Sequence, residues 1–291
     1  MKTSRAQNFF VATLVGALGF TASTLSAQEH AATTAPVAAP AASSEANTDE
    51  ELAKKLANPV ASLISVPFQA NFDNGIGPDS RGSKFTLNIQ PVIPFSISKD
   101  WNVISRTILP VIYQSKVSGN GSQAGLGDTL QSLFLSPKEP VGGIILGVGP
   151  AMLLPTGTQD ALGGEKWAAG PTVVALKQSH GWTYGALMNS LWSYAGDDNR
   201  DQVKSTYLQP FVSYTTKTAM TFSLNTESTY NWDADKDPWS IPVNLMVAQL
   251  IKIGEQRVQL QGGLRYWAET PDNGPSGWGF RFTVTLLFPT K

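Results

Sequence analysis

Few residues in this chain are equipped for covalent chemistry. Histidine occurs only at His30 and His180, and cysteine is absent. A serine esterase needs a histidine beside its nucleophile on one wall, yet His30 falls in an Ala/Pro-rich stretch and His180 in a short turn. No enzyme activity and no catalytic residue is therefore expected. Without cysteine there are no disulfides, thiol catalysts or thiolate metal sites. Asp233, Asp235 and Asp237 resemble the start of a calcium loop. Pro238 stands at position six where glycine is required, however, and Asn244 at position twelve where glutamate is required. No metal or cofactor site is expected. Gly125-Leu126-Gly127-Asp128 and Gly147-Val148-Gly149 precede no helix, so they are not phosphate loops; glycine there gives room inside a narrow structure.

The more informative side chains are polar ones in the middle of extended segments: Asn88, Gln90, Arg106, Gln131, Asn225, Glu227, Asn244, Gln261, Arg265 and Arg281. Most alternate with apolar neighbours. On the lipid side of a membrane strand a charge costs about 2–4 kcal/mol at the midplane. These ten are therefore the lumen-lining candidates, either along a conducting path or paired across it into a closed core. Glu227 is the principal carboxylate among them, with Asp128 the other mid-strand acid. An isolated charge in a narrow lumen is costly, so Glu227 is expected to pair with Arg265 or Arg281. The remaining arginines then give a positive constriction that favours anions or neutral polar solutes over cations.

The elements that must position these groups are long strands. In Lys84–Gln114, Phe85, Leu87, Ile89, Ile93, Phe95 and Ile97 share one face, and Thr86, Asn88, Gln90, Ser96 and Ser98 the other. Two polar residues, Lys99-Asp100, separate this run from a second one. Period two is the signature of a strand. Each run exceeds the roughly 9–11 residues that cross a bilayer as a strand. Twelve such segments follow one another at 62–72, 84–98, 101–115, 125–136, 143–155, 166–178, 181–195, 203–215, 219–232, 239–252, 256–269 and 277–288. The reading is an all-β, transmembrane antiparallel up-and-down barrel of about twelve strands over 59–291, with Phe222, Leu224, Phe282, Val284 and Leu286 facing lipid.

Connections alternate between long polar loops (73–83, 116–124, 156–165, 196–202, 233–238, 270–276) and shorter turns (99–100, 137–142, 179–180, 217–218, 253–255). Outer-membrane barrels carry short periplasmic turns and longer extracellular loops. All 8 tryptophans lie near predicted strand ends, as interfacial girdles require. Pro67, Pro91, Pro94, Pro110, Pro150, Pro171, Pro210 and Pro242 fall inside the segments. Proline donates nothing to a ladder, so bulges or lumen-facing breaks are expected there.

Net charge is -1 and only 15% of residues are charged, which removes any electrostatic case for nucleic acid. Lys2 and Arg5, the apolar run Phe9–Phe20 and small residues up to Ala27 read as a signal peptide spanning 1–27. Residues 28–58 form an Ala/Pro-rich linker that ends in a short helix opening at Thr48, with Glu50/Lys54 and Glu51/Lys55 at i,i+4 spacing. That helix is either a solvated spacer or a plug for the barrel mouth.

The phrases LANPVASLISVPFQANFD (56–73), LNIQPVIPF (87–95), WNVISRTILPVI (101–112), GLGD (125–128), SPK (136–138), GVGP (147–150) and LQPF (208–211) resemble a bacterial outer-membrane family. It is described as the meta-pathway phenol-degradation or transporter-like family, whose members are sometimes labelled neuromedin U. The resemblance implies an outer-membrane barrel associated with uptake of small compounds, aromatic ones among them, and carries over no ligand residues. The expected function is a channel for small molecules with outer-membrane lipid and solutes as its partners. The competing readings are a structural or surface-binding barrel without transport and a soluble periplasmic β-protein.

Overall fold

The computed structural model describes residues 42–119 and 121–288. The expected signal peptide, its cleavage point near Ala27 and the first part of the linker lie outside those residues.

One helix, α1 (Ala42–Leu56), precedes twelve spanning strands. They are β1 (Ile64–Ile76), β2 (Gly82–Ile89, continued as Val92–Ser96), β3 (Trp101–Ser115), β4 (Ser122–Leu126, continued as Thr129–Pro137), β5 (Ile145–Leu154) and β6 (Lys166–Ser179). The second half comprises β7 (Trp182–Gly196), β8 (Lys204–Thr215), β9 (Met220–Thr226, continued as Ser228–Asn231), β10 (Trp239–Ile253), β11 (Gln256–Glu269) and β12 (Gly277–Phe288). Consecutive strands pair antiparallel, and β1 pairs with β12 from Ile64↔Phe288 to Phe72↔Phe280. The sheet closes on itself, so every strand has two neighbours and no edge is left unpaired.

Closure separates two surfaces. Along β12, Arg281, Thr283 and Thr285 are buried while Phe280, Phe282 and Phe288 are exposed, and Val284 and Leu286 share the outward phase. Phe222 and Leu224 on β9 and Leu245 and Val247 on β10 are likewise exposed. A surface of large apolar side chains is what a strand presents to hydrocarbon. Inside, the barrel is asymmetric. Ile104, Phe134, Val174, Leu176 and Leu187 fill its β3–β7 side with a compact apolar cluster, whereas polar side chains dominate the interior of β9–β12 and β1–β2.

Aromatic rings collect at the strand ends. Trp182 stacks with Tyr214 at one end, and at the other Tyr230 meets Trp232 and Trp239 while Tyr266 meets Trp278, all with centroids 4.7–5.1 Å apart. Trp267 departs from the girdle: it points inward and donates to Asp73.

The in-strand prolines disturb the ladder less than expected. Pro67, Pro94, Pro110 and Pro210 sit inside continuous pairings, and only Pro242 coincides with a register shift. Their carbonyls remain acceptors: Gln90 N donates to Pro67 at 2.9 Å, Thr107 N to Pro91 at 3.1 Å and Gly127 N to Pro110 at 2.9 Å. Pro150 and Pro171 face each other across β5 and β6 on the lipid side, contrary to the lumen-facing expectation. The preceding Gly149 and Gly170 bring their backbones so close to Leu133 O and Ser190 O that a Cβ would lie 1.9 Å from either oxygen. That close approach packs the backbone where two donors are missing.

Three segments read as single strands are interrupted, at Gln90-Pro91, Gly127-Asp128 and Glu227. The first long loop is shorter than expected, because β1 and β2 extend to leave only 77–81 between them. The connection 138–144 exceeds it, so loop length does not alternate strictly.

The helix begins at Ala42 rather than Thr48. It is not a free spacer. Leu52 and Ala53 pack with Ala61, Leu63, Ala219, Leu250 and Leu287 in one buried cluster. Gln178 Nε2 donates to Lys54 O at 2.8 Å, and Arg257 Nε contacts Asp49 Oδ1 at 2.8 Å. Gln178 ends β6 and Arg257 begins β11, five strands apart in a ring of twelve, so α1 bridges the short-turn mouth of the barrel.

Candidate functional site

The lumen holds a cavity of about 580 Å³. At the short-turn end its floor is Leu56, Ala57, Asn58 and Pro59, directly after α1. Arg281 and Glu227 line its wall further up, and Val203, Ser205 and Thr229 line it towards the long-loop end.

Glu227 sits where β9 is interrupted, opposite Pro242, whose carbonyl accepts from Glu227 N at 3.2 Å. Its carboxylate takes both guanidinium arms of Arg281, Nη1 to Oε1 and Nη2 to Oε2, each at 2.7 Å. Arg265 Nη1 adds a third contact at 3.1 Å. Arg281 Nε donates to Asn71 Oδ1 at 2.7 Å. Arg265 Nε lies 3.2 Å from Asp73 Oδ1 but is poorly aligned for a hydrogen bond, so that contact acts through charge. The same guanidinium lies 4.6 Å from the Trp267 ring centroid, and Trp267 Nε1 donates to Asp73 Oδ1 at 2.8 Å. Bidentate pairing and an aromatic platform are the arrangements that suit a buried arginine.

Local sequence makes space for these heads. Arg281 stands across from Gly263 and Arg265 across from Gly279. A Cβ at Gly263 would lie 2.4 Å from Leu245 O, and one at Gly279 2.5 Å from Phe72 O. Each arginine therefore faces a residue with no side chain.

Of the ten candidates, Asn88, Gln90, Arg106, Asn225, Glu227, Gln261 and Arg281 line the cavity. Asn244 is fully buried beside it and donates to Asn225 Oδ1 at 2.8 Å. Arg265 lies behind Glu227. Gln131 does not belong to the lumen. Its neighbour Leu130 lines the cavity, and Gln131 bonds Thr107 and Ser105 at 2.6 and 3.0 Å on the opposite face. The reason is the apolar filling of this side, where Phe134 points inward and polarity no longer marks the interior. Asp128 does not join the charge cluster either: at the β4 interruption it accepts from Gly157 N at 3.0 Å and Gly164 N at 2.6 Å, clamping the loop 155–165.

Sequence reasoning missed Gln69, Asn71, Asp73, Lys84 and Tyr207. Gln69 and Asn71 alternate with Phe68, Ala70 and Phe72, so their phase was available. Asp73 and Lys84 face each other in the β1–β2 pairing, in what reads as loop or strand margin. Ser179 Oγ and His180 Nδ1 are 2.7 Å apart in an exposed-edge turn, but among the described residues no carboxylate bonds that histidine. Asp233 of the acidic triplet is paired with Lys204 at 3.3 Å.

Neither a family model nor a curated protein matches the sequence. Solved structures do. An outer membrane channel from Pseudomonas putida F1 is 17% identical over 78% of this chain and 94% of its own, with a TM-score of 0.61. The fold is that of an outer-membrane barrel. The NanC porin (9% identity, 77% of this chain and 100% of its own, TM-score 0.47) and outer membrane phospholipase A from Escherichia coli (10%, 77% and 90%, 0.44) are more distant.

Proposed function

We propose that this protein is a bacterial outer-membrane channel for small molecules. The observation that carries the reading is a roughly 580 Å³ cavity lined by both polar and apolar side chains inside a closed, lipid-facing barrel. A docked helix bounds it at one mouth, and a charge cluster lies along its β9–β1 wall. Barrels of about eight strands are filled by side chains and those of 16–18 hold open channels; twelve is the intermediate case. The likeness to the Pseudomonas putida F1 outer membrane channel agrees with this assignment. The resemblance in sequence adds small aromatic compounds as the solute class.

Single-channel recording of the refolded mature protein tests it. Stable unitary conductance is the expected result, and a silent bilayer with folded protein in it overturns the proposal. A second reading, a barrel without transport, draws support from α1, which bridges the short-turn mouth, and from the apolar cluster that fills the β3–β7 side of the interior. The silent bilayer is that reading's expected result.

A further inference from the structure

A donor surplus lies in the lumen wall between Arg281 and Arg106. Two amides, Gln69 and Gln90, bridge them across β1 and β2. The Gln69 amide lies over the Arg281 guanidinium, 2.7 Å from Nε and 2.9 Å from Nη1 and Nη2, and it is the amide oxygen that faces this cation. The opposite orientation sets an NH2 group against three donors. With the oxygen so placed, the Gln69 NH2 faces the Gln90 amide. Gln90 is 7% exposed and its other amide atom is 3.1 Å from Arg106 Nη2. If Gln90 turns its oxygen to Gln69, its NH2 meets Arg106; if it turns its oxygen to Arg106, two NH2 groups meet. Each amide has one acceptor oxygen, so two amides between two guanidinium groups leave one acceptor missing in either arrangement. A buried donor without an acceptor is costly. Among the described residues Arg106 also has no carboxylate within ion-pair distance, unlike Arg265 and Arg281.

The surroundings define what would supply the acceptor. Val92 lies directly across from Arg106, and Ile108 is next on the same face of β3. From Ile108 the wall continues through Leu130 and Leu153 on adjoining strands to Leu191. We infer that the Gln90–Arg106 corner is a carboxylate subsite for small amphipathic monoanions, whose apolar body lies along Ile108, Leu130 and Leu153. The carboxylate accepts from both Gln90 and Arg106 and so completes the chain, a charge-assisted contact of the strong kind. The inference rests on the channel reading for how solute reaches the corner.

Calorimetric titration of the detergent-solubilised mature protein with hexanoate, hexanamide and acetate tests it, with KCl conductance recorded on the same preparation. Hexanoate is expected to bind at least about tenfold more tightly than either the uncharged amide or the shorter acid, a gap of about 1.4 kcal/mol. Arg106→Gln should remove that preference, and Arg106→Lys, which keeps the charge but loses the fork, should retain part of it. Equal binding of hexanoate and hexanamide, or unaltered hexanoate binding by Arg106→Gln, overturns the subsite. If Arg106→Gln does not fold, the ligand series on the parent protein decides. Conductance without hexanoate preference removes the subsite and leaves the channel; hexanoate preference in a silent bilayer does the reverse.

Discussion

Glu227 and Arg281 meet through two parallel hydrogen bonds of 2.7 Å each, on one wall of a lumen in which Arg281 is 5% exposed. The carboxylate comes from the interruption in β9 and the guanidinium from mid-β12, so the pair ties strands on either side of β10 and β11 through the interior. Arg265 shares the carboxylate, and Asp73 balances Arg265.

Replacing Glu227 with Gln removes the carboxylate from between two buried arginines. Breaking a buried pair on one side costs about 3–5 kcal/mol. Thermal unfolding in detergent, read by loss of the compact band on unboiled gels, should shift to lower temperature by an amount consistent with that range. The unpaired guanidinium groups should also move the reversal potential in a salt gradient towards anion preference. An unchanged midpoint together with an unchanged reversal potential contradicts this account of the lumen.

The two faces of β12 make a sharper contrast. Val284 has the outward phase and Thr283 lines the cavity. Among the described residues Thr283 Oγ1 has no protein hydrogen-bond partner, so Thr283→Val should leave refolding into vesicles unchanged. Val284→Arg places a charge in hydrocarbon and should abolish refolding into vesicles, at a cost of about 2–4 kcal/mol at midplane depth. Protection of the barrel from protease after refolding is the readout; equal protection of both variants contradicts the register.

Orientation follows from which loops reach outside. Asp198 lies in the connection 197–203 and Lys217 in the opposite turn. A single cysteine at Asp198 should react with a membrane-impermeant maleimide on intact cells. One at Lys217 should react only once the outer membrane is breached. The reverse pattern inverts the topology.

How far the sequence carries depends on where polarity keeps its meaning. On β9, β11 and β12 a charge that alternates with Phe, Leu or Val has one affordable side, and Glu227, Arg265 and Arg281 were legible from phase alone. On β4 the interior is apolar, Phe134 and Leu130 face in, and Gln131 lies outside with Ser105 and Thr107. Alternation on that strand still marks two faces but not which is inside. Asp73 was hidden for a different reason: β1 runs past membrane length, and a polar strand margin reads as loop. The destination of α1 was also not local information. Its i,i+4 charges yield one ion pair, Glu50 with Lys54 at 2.5 Å, but the cluster that receives Leu52 is assembled from residues as distant as Ala219, Leu250 and Leu287.

That cluster sets the last prediction. Asp49 and Lys54 are held by opposite sides of the mouth, through Arg257 and Gln178, and Leu52 and Ala53 are buried between. The half-exposed Asp49–Arg257 contact contributes little alone, about 0–1 kcal/mol; burial of Leu52 contributes more, about 1.5–3 kcal/mol for a fully buried side chain of its type. Leu52→Asp should therefore release α1 from the mouth, whereas Arg257→Ala should loosen it only slightly. Unitary conductance in KCl should rise strongly in Leu52→Asp and in a chain lacking residues 42–58, and only modestly in Arg257→Ala. Barrel stability should change little, because the strands keep all their pairings. Equal conductance in the parent and in the chain without the helix would mean that α1 covers the mouth without restricting it.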